Sequence, residues 1–280
     1  MTRKRQAGLN QATLSLLGLL LAGAAALWGC GEDLNLPTPP GESVPGAYGD
    51  TGQCRDEWRA GIPSLAGEAQ TRLLCRQEYV ALYDPQRRVP RVVGEYLVPT
   101  EFSGEVERQD NFTPDPDLPP GESAELNDYR RSGYDRGHMA PAADFKSSEQ
   151  AMQESFYLTN MVPQNHDMNA GVWAALESAA RACAEDQGGV FVLTGPVLGK
   201  NPATIGDGVA VPDALFKVIV AGKDARAFVI PNREQASDTN FGRYEVTPEM
   251  VEELSGLNLF PDGSVTLDTP GRFCRGAFGG

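Results

Sequence analysis

The stretch Tyr134-Asp135-Arg136-Gly137-His138-Met139-Ala140-Pro141 carries one of only two histidines in a chain of 280 residues. An arginine stands two positions before His138, and a proline three positions after it. Proline lacks the backbone N–H and clashes with the preceding turn, so no helix runs through the segment. A histidine with an ordinary pKa of about 6.5 is a neutral base at neutral pH. Arg136 offers a planar fork suited to phosphate oxygens.

Downstream comes Leu158-Thr159-Asn160-Met161-Val162-Pro163-Gln164, then Asn169-Ala170-Gly171-Val172-Trp173-Ala174-Ala175-Leu176-Glu177. Asn169 precedes a helix predicted over residues 170–185, because Val172, Trp173, Leu176, Ala180 and Cys183 share one face. Gly188-Gly189 ends it. Alone, Asn169 reads as a helix cap. Beside His138 and Arg136 it reads as a metal ligand, since its hard carbonyl oxygen suits Mg²⁺, an ion that keeps several waters. Glu177 lies ~12 Å further along an ideal helix, so it is expected to hold a water of the metal rather than the metal itself. Arg181 follows four residues later and can pair with Glu177. Trp173 is expected in the core, and Asn160 as a structural clip. His166 and Arg130 are read as solvated surface groups.

Further out, the alternation of Glu78–Tyr83 and Val89–Pro99 predicts an antiparallel hairpin around the turn at 84–88. Residues 101–133 are polar and proline-rich and predict a long loop, one that carries Arg108. Strands are predicted at Phe156–Asn160, Val190–Gly195, Ala214–Ala221 and Ala225–Ile230. Thr247-Pro248-Glu249 opens a short helix with threonine as cap and proline in its first turn.

Hydrolysis of a phosphodiester needs a base for water, positive charge against the developing phosphorane, and stabilisation of the leaving oxygen. The central region supplies all three. Asp135-Arg136-Gly137-His138, Asn160 with Pro163-Gln164, and Asn169…Trp173…Leu176-Glu177 together resemble the DNA/RNA non-specific endonucleases. These are the ββα-metal or His-Me finger group that includes endonuclease G. The resemblance runs from about Gly61 to Phe260. It implies His138 as general base, Asn169 as the single protein ligand of Mg²⁺ (with Mn²⁺ as a possible substitute), and Glu177 on a metal water. It also implies Arg136, Arg108 and Arg181 as site arginines, and 5′-phosphate products. Pro90-Arg91-Val92-Val93 departs from the family's Pro-x-Trp-Val. The expected fold is α+β, with a central antiparallel sheet flanked by helices and a ββα-metal motif.

The N-terminus carries Arg3-Lys4-Arg5, then an uncharged Leu- and Ala-rich run ending at Leu27-Trp28-Gly29-Cys30. This resembles a bacterial lipoprotein signal with Cys30 as the lipidated residue, although Trp28 stands where a small residue is usual. Residues 1–29 are therefore expected to be a signal peptide, 30–52 a Pro/Gly-rich tether, and 53–280 the endonuclease domain. The expected location is the cell envelope after export, either lipid-anchored to the outer membrane through Cys30 or in the periplasm. Four further cysteines predict two disulfides. Sequence leaves the connectivity open, and 54–75 with 183–274 is the expected pairing.

The net charge of −14 argues on its face against a nucleic-acid partner. Binding depends on the local field, however. Over residues 126–148, Arg130, Arg131, Arg136 and Lys146 balance Asp128, Asp135 and Asp144. DNA and RNA therefore remain the expected substrates. The rival reading is a non-catalytic surface lipoprotein that binds nucleic acid or an envelope partner.

Overall fold

A computed structural model describes residues 47–48, 63–65, 70–236 and 240–279, all within the compact unit Glu42–Gly280. The expected signal peptide, lipidated Cys30 and most of the expected tether lie outside the described residues.

Fourteen strands follow in chain order among the described residues. They are β1 Ala47–Tyr48, β2 Ser64–Leu65, β3 Arg72–Cys75, β4 Val80–Asp84, β5 Val89–Leu97, β6 Asp135–His138, β7 Met161–Gln164, β8 Val190–Val197, β9 Thr204–Ile205, β10 Val209–Ala210, β11 Ala214–Ala221, β12 Asp224–Pro231, β13 Glu245–Val246 and β14 Leu257–Asn258. Eight form the central sheet in the order β1-β3-β4-β5-β8-β11-β12-β13. All its pairings are antiparallel except β1 with β3. The expected α+β architecture is the one observed. The β4–β5 turn forms where Asp84 Oδ1 accepts the backbone N–H groups of Gln86 and Arg87, each at 3.0 Å.

The two-residue period of a strand sends alternate side chains to opposite faces. Leu215 and Ile219 pack on one face of β11, whereas Phe216, Val218 and Val220 pack on the other. The second face is covered by α6 (Pro248–Ser255) through Val251, and by Leu257, Leu259 and Phe260. As expected, Thr247 caps α6 by accepting from Met250 N–H.

The first face carries the helices and the site. In chain order these are α1 Pro99–Phe102, α2 Leu126–Tyr129, α3 Glu149–Ser155, α4 His166–Met168 and α5 Ala174–Gln187, with α7 Arg275–Phe278 at the C-terminal end. Trp173, Leu176, Ala180 and Cys183 are all buried, as the spacing predicts. Gly188 ends α5 at φ 73°, a left-handed conformation natural to glycine. Cys183 is disulfide-bonded to Cys274, the expected pairing. Cys75 is also in a disulfide, while its expected partner Cys54 lies outside the described residues.

Phe156–Asn160 is not a strand. Ser148 caps α3, whose last turn runs on to Phe156, and Leu158–Asn160 is a 3₁₀ turn. Phe156, Leu158, Thr159 and Asn160 are buried and only Tyr157 is partly exposed, so no regular two-residue period could be read. The strand begins only at Met161, directly after this turn. The 101–133 segment is less loose than its composition implies. Asp115 is buried and accepts from both Arg76 Nη2 and Thr159 Oγ1, which ties the segment to the end of β3. A buried carboxylate needs such partners.

Candidate active site

The site is built on β6 and β7, a two-stranded antiparallel unit lying outside the central sheet. His138 pairs with Met161 and Asp135 with Gln164. Asn232, just after β12, fastens this unit to the body. Its Nδ2 donates to Pro163 O at 3.0 Å, and its Oδ1 accepts from Asn165 N–H at 2.8 Å. Asn160 closes the chain beyond His138. Its Nδ2 donates to Ala140 O and Ser155 O, and its Oδ1 accepts from Ala140 N–H. The expected structural role of Asn160 is the one seen.

Gly137 packs directly under Gln164, and a Cβ there would overlap the Gln164 side chain. Gln164 is fully buried, and among the described residues its amide has no hydrogen-bond partner. Gly137→Ala is therefore expected to destabilise the fold by about 1–3 kcal/mol through overpacking. A thermal melt with an unchanged midpoint would contradict this.

Strand alternation puts Arg136 and His138 on one face of β6, where both meet Phe112. The Arg136 guanidinium lies 4.0 Å from the Phe112 ring centre. The His138 ring is 5.7 Å from Phe112 and 5.0 Å from Phe156, edge-on to the latter. His138 is buried, and among the described residues its Nε2 has no hydrogen-bond partner. Burial lowers its pKa to about 3, with Arg108 and Arg136 adding to the effect and Asp110 opposing it. Arg108 sits at the exposed mouth, held to Asp110 at 2.7 Å and 5.1 Å from the Phe156 ring.

The other face of β6 does something the sequence did not suggest. Asp135 Oδ2 accepts from Asn169 Nδ2 at 2.9 Å and lies 2.9 Å from His166 Nδ1. The amide nitrogen of Asn169 is thereby committed, and its oxygen is left for another partner. His166 is exposed as expected, but it belongs to this cluster, and Asp135 raises its pKa. The expected helix start also differs in form. Asn169–Trp173 is a π turn, with Gly171 at φ −101° and ψ −107°, before α5 proper begins. Such turns occur often at functional sites. Asp135, Arg136 and Asn169 line a cleft of about 470 Å³.

Glu177 and Arg181 lie deeper, over the sheet. Arg181 donates to buried Asp144 at 2.6 Å and to Ser178 at 3.0 Å. Asp144, not Glu177, thus takes the hydrogen bond expected along the helix, because it is the more buried of the two carboxylates and gains most from a counter-charge. The Glu177 pKa is pushed up to about 7 by burial, with Lys217 opposing and Asp144 adding to it. Lys217 is itself buried, donating to Thr194 Oγ1 at 2.7 Å. Sequence reasoning missed Lys217, which reads as an ordinary strand residue.

The groups present fit a hard, mostly hydrated cation. Among the described residues no cluster of three or more His, Cys, Asp or Glu could hold a metal ion. The donor on offer is the single amide oxygen that Asp135 leaves free on Asn169. Mg²⁺ takes few protein ligands and retains its water.

Comparison with known proteins agrees with this geometry. Residues 60–265 match the family profile described as DNA/RNA non-specific endonuclease. The chain is 41% identical over 222 residues to the mitochondrial nuclease EXOG of Danio rerio, covering 72% of this chain and 64% of that one. It is 35% identical over 221 residues to the human mitochondrial endonuclease G, covering 72% of each. A chain from the crystal structure of an EndoG/EndoGI complex superposes with a TM-score of 0.69 at 31% identity, covering 76% of this chain and 93% of that chain. The chain spans less than two thirds of the length of the EXOG relatives. These relatives are named as mitochondrial nucleases, which overturns the expectation of an exported cell-envelope protein.

Proposed function

The chain belongs to the DNA/RNA non-specific endonuclease family, and from that premise we propose that it hydrolyses phosphodiester bonds of DNA and RNA with a divalent metal. Residues 53–280 form the catalytic domain. Mg²⁺ is the preferred ion and Mn²⁺ a substitute. The observation that carries this reading is the Asp135–Asn169 bond, which turns an amide oxygen outward in the same cleft as Arg136.

Asn169 would hold the metal through its amide oxygen, and Glu177 would act on it through water rather than as a direct ligand. When bound, the ion supplies positive charge against the phosphorane and the leaving 3′ oxygen. His138 takes the proton from water as that water attacks phosphorus in line. Arg136 and Arg108 hold phosphate oxygens. Arg181 keeps Asp144 paired beneath the site, which ties the middle of α5 to the segment that follows β6. A water nucleophile needs no 2′-hydroxyl, so both sugars are accepted. Contacts to phosphate read no sequence. Cleavage leaves 5′-phosphates.

The test is direct. The purified protein is expected to cut supercoiled plasmid and single-stranded RNA with Mg²⁺, and neither with EDTA. A folded protein that cuts neither substrate in any divalent metal would favour the binding-only reading.

A further inference from the structure

The cleft beside Asn169 extends past the reacting groups. Its lining continues from Asp135 and Arg136 to Leu126, Tyr129, Arg130 and Tyr134. None of these four has a part in the chemistry proposed above. Leu126 is 44% exposed, one of three large apolar side chains left in water among the described residues. Tyr129 is buried, and its hydroxyl has no hydrogen-bond partner among them. Arg130 is exposed and adds a cation to a wall that already holds Arg136. The volume of about 470 Å³ falls in the range of small-ligand sites, roughly 300–1,000 Å³.

We propose that this cleft is a nucleoside subsite, which receives the base and sugar of one nucleotide flanking the scissile phosphate. The inference rests on the phosphodiesterase reading above. The base lies against Tyr134 and Leu126, and Arg130 meets the next phosphate along the strand. Aromatic and aliphatic faces accept any base, because every base has a π-face and no base edge is read. The subsite therefore adds affinity without adding sequence preference, in keeping with a non-specific enzyme.

The experiment uses the full chain, Mg²⁺ and an end-labelled single-stranded DNA carrying one abasic residue at its centre. Limited digestion is compared bond by bond with the intact oligonucleotide. A one-sided subsite makes an asymmetric gap. One of the two bonds flanking the abasic residue is cut about ten-fold less than in the intact strand, a typical effect of losing one stacked base. Distant bonds in the same molecule are unchanged, which serves as the internal control. The gap disappears in the Leu126→Ala/Tyr134→Ala variant, whose cutting no longer distinguishes the two strands. Equal cutting of both flanking bonds, with the rest of the strand digested, overturns the subsite. So does a gap that persists in the variant. No cutting at any bond overturns the hydrolase reading itself, an outcome distinct from the other two.

Discussion

His138→Ala is expected to lower plasmid and RNA cutting by about 10²- to 10⁴-fold, the usual contribution of a positioned base. The ring is buried against Phe112 and Phe156, so its loss also removes packing. His138→Gln, which keeps more of the volume, separates the two effects. Both variants are expected to lose turnover, and the glutamine variant to lose less stability. Near wild-type turnover in a folded His138→Ala protein would remove His138 from the base role.

The pH behaviour follows from the same burial. With its pKa lowered to about 3, chiefly by burial and then by Arg108, His138 stays neutral well into the acid range. The acid limb of kcat/KM is therefore expected below the ordinary histidine midpoint of about 6.5. Arg108→Ala removes one of the lowering causes, so the limb should move upward. Stability has a matching sign. Between about 3 and 6.5 the unfolded chain binds a proton at His138 that the folded chain does not. This residue's contribution to stability is full above that window and is lost as pH falls through it. Denaturation between pH 3 and 7 should show a flatter acid slope in His138→Ala.

Asn169→Ala is expected to reduce turnover about as far as chelation does, because it removes the one amide oxygen offered to the metal. Electrostatic assistance of several kcal/mol corresponds to a loss of about 10²- to 10⁴-fold. Asp135→Ala should be milder and of another kind. Asp135 Oδ2 holds the Asn169 nitrogen at 2.9 Å and so decides which end of the amide faces the cleft. Without it the amide can flip, and metal affinity should fall about 10- to 100-fold, the usual cost of losing an orienting partner. Titration with Mg²⁺ separates the variants. Saturating metal restores much of the Asp135→Ala rate and little of the Asn169→Ala rate. Recovery of Asn169→Ala at high metal would show that other groups hold the ion.

The linear chain already carried the larger part of this description. The strands at Val89–Leu97, Val190–Val197, Ala214–Ala221 and Asp224–Pro231 follow from apolar, β-branched runs bounded by turn residues. The buried stripe of α5 follows from helical spacing, and His138, Arg136 and Asn169 stand out by residue type and order. These are local signals, written within one or two turns of chain. What could not be read there depends on partners far apart in sequence. Asp135 orients Asn169 from 34 residues away, and Asp144 captures Arg181 from 37 residues away. Arg130 and Tyr134 become cleft walls only because β6 and α2 fold back beside the π turn. Phe156–Asn160 escaped because four of its five side chains are buried, which leaves no alternation to tell a strand from a turn. Chain geometry sets which residues share a face, but a side chain's electrostatic partner is chosen by desolvation, and desolvation exists only once the core has closed.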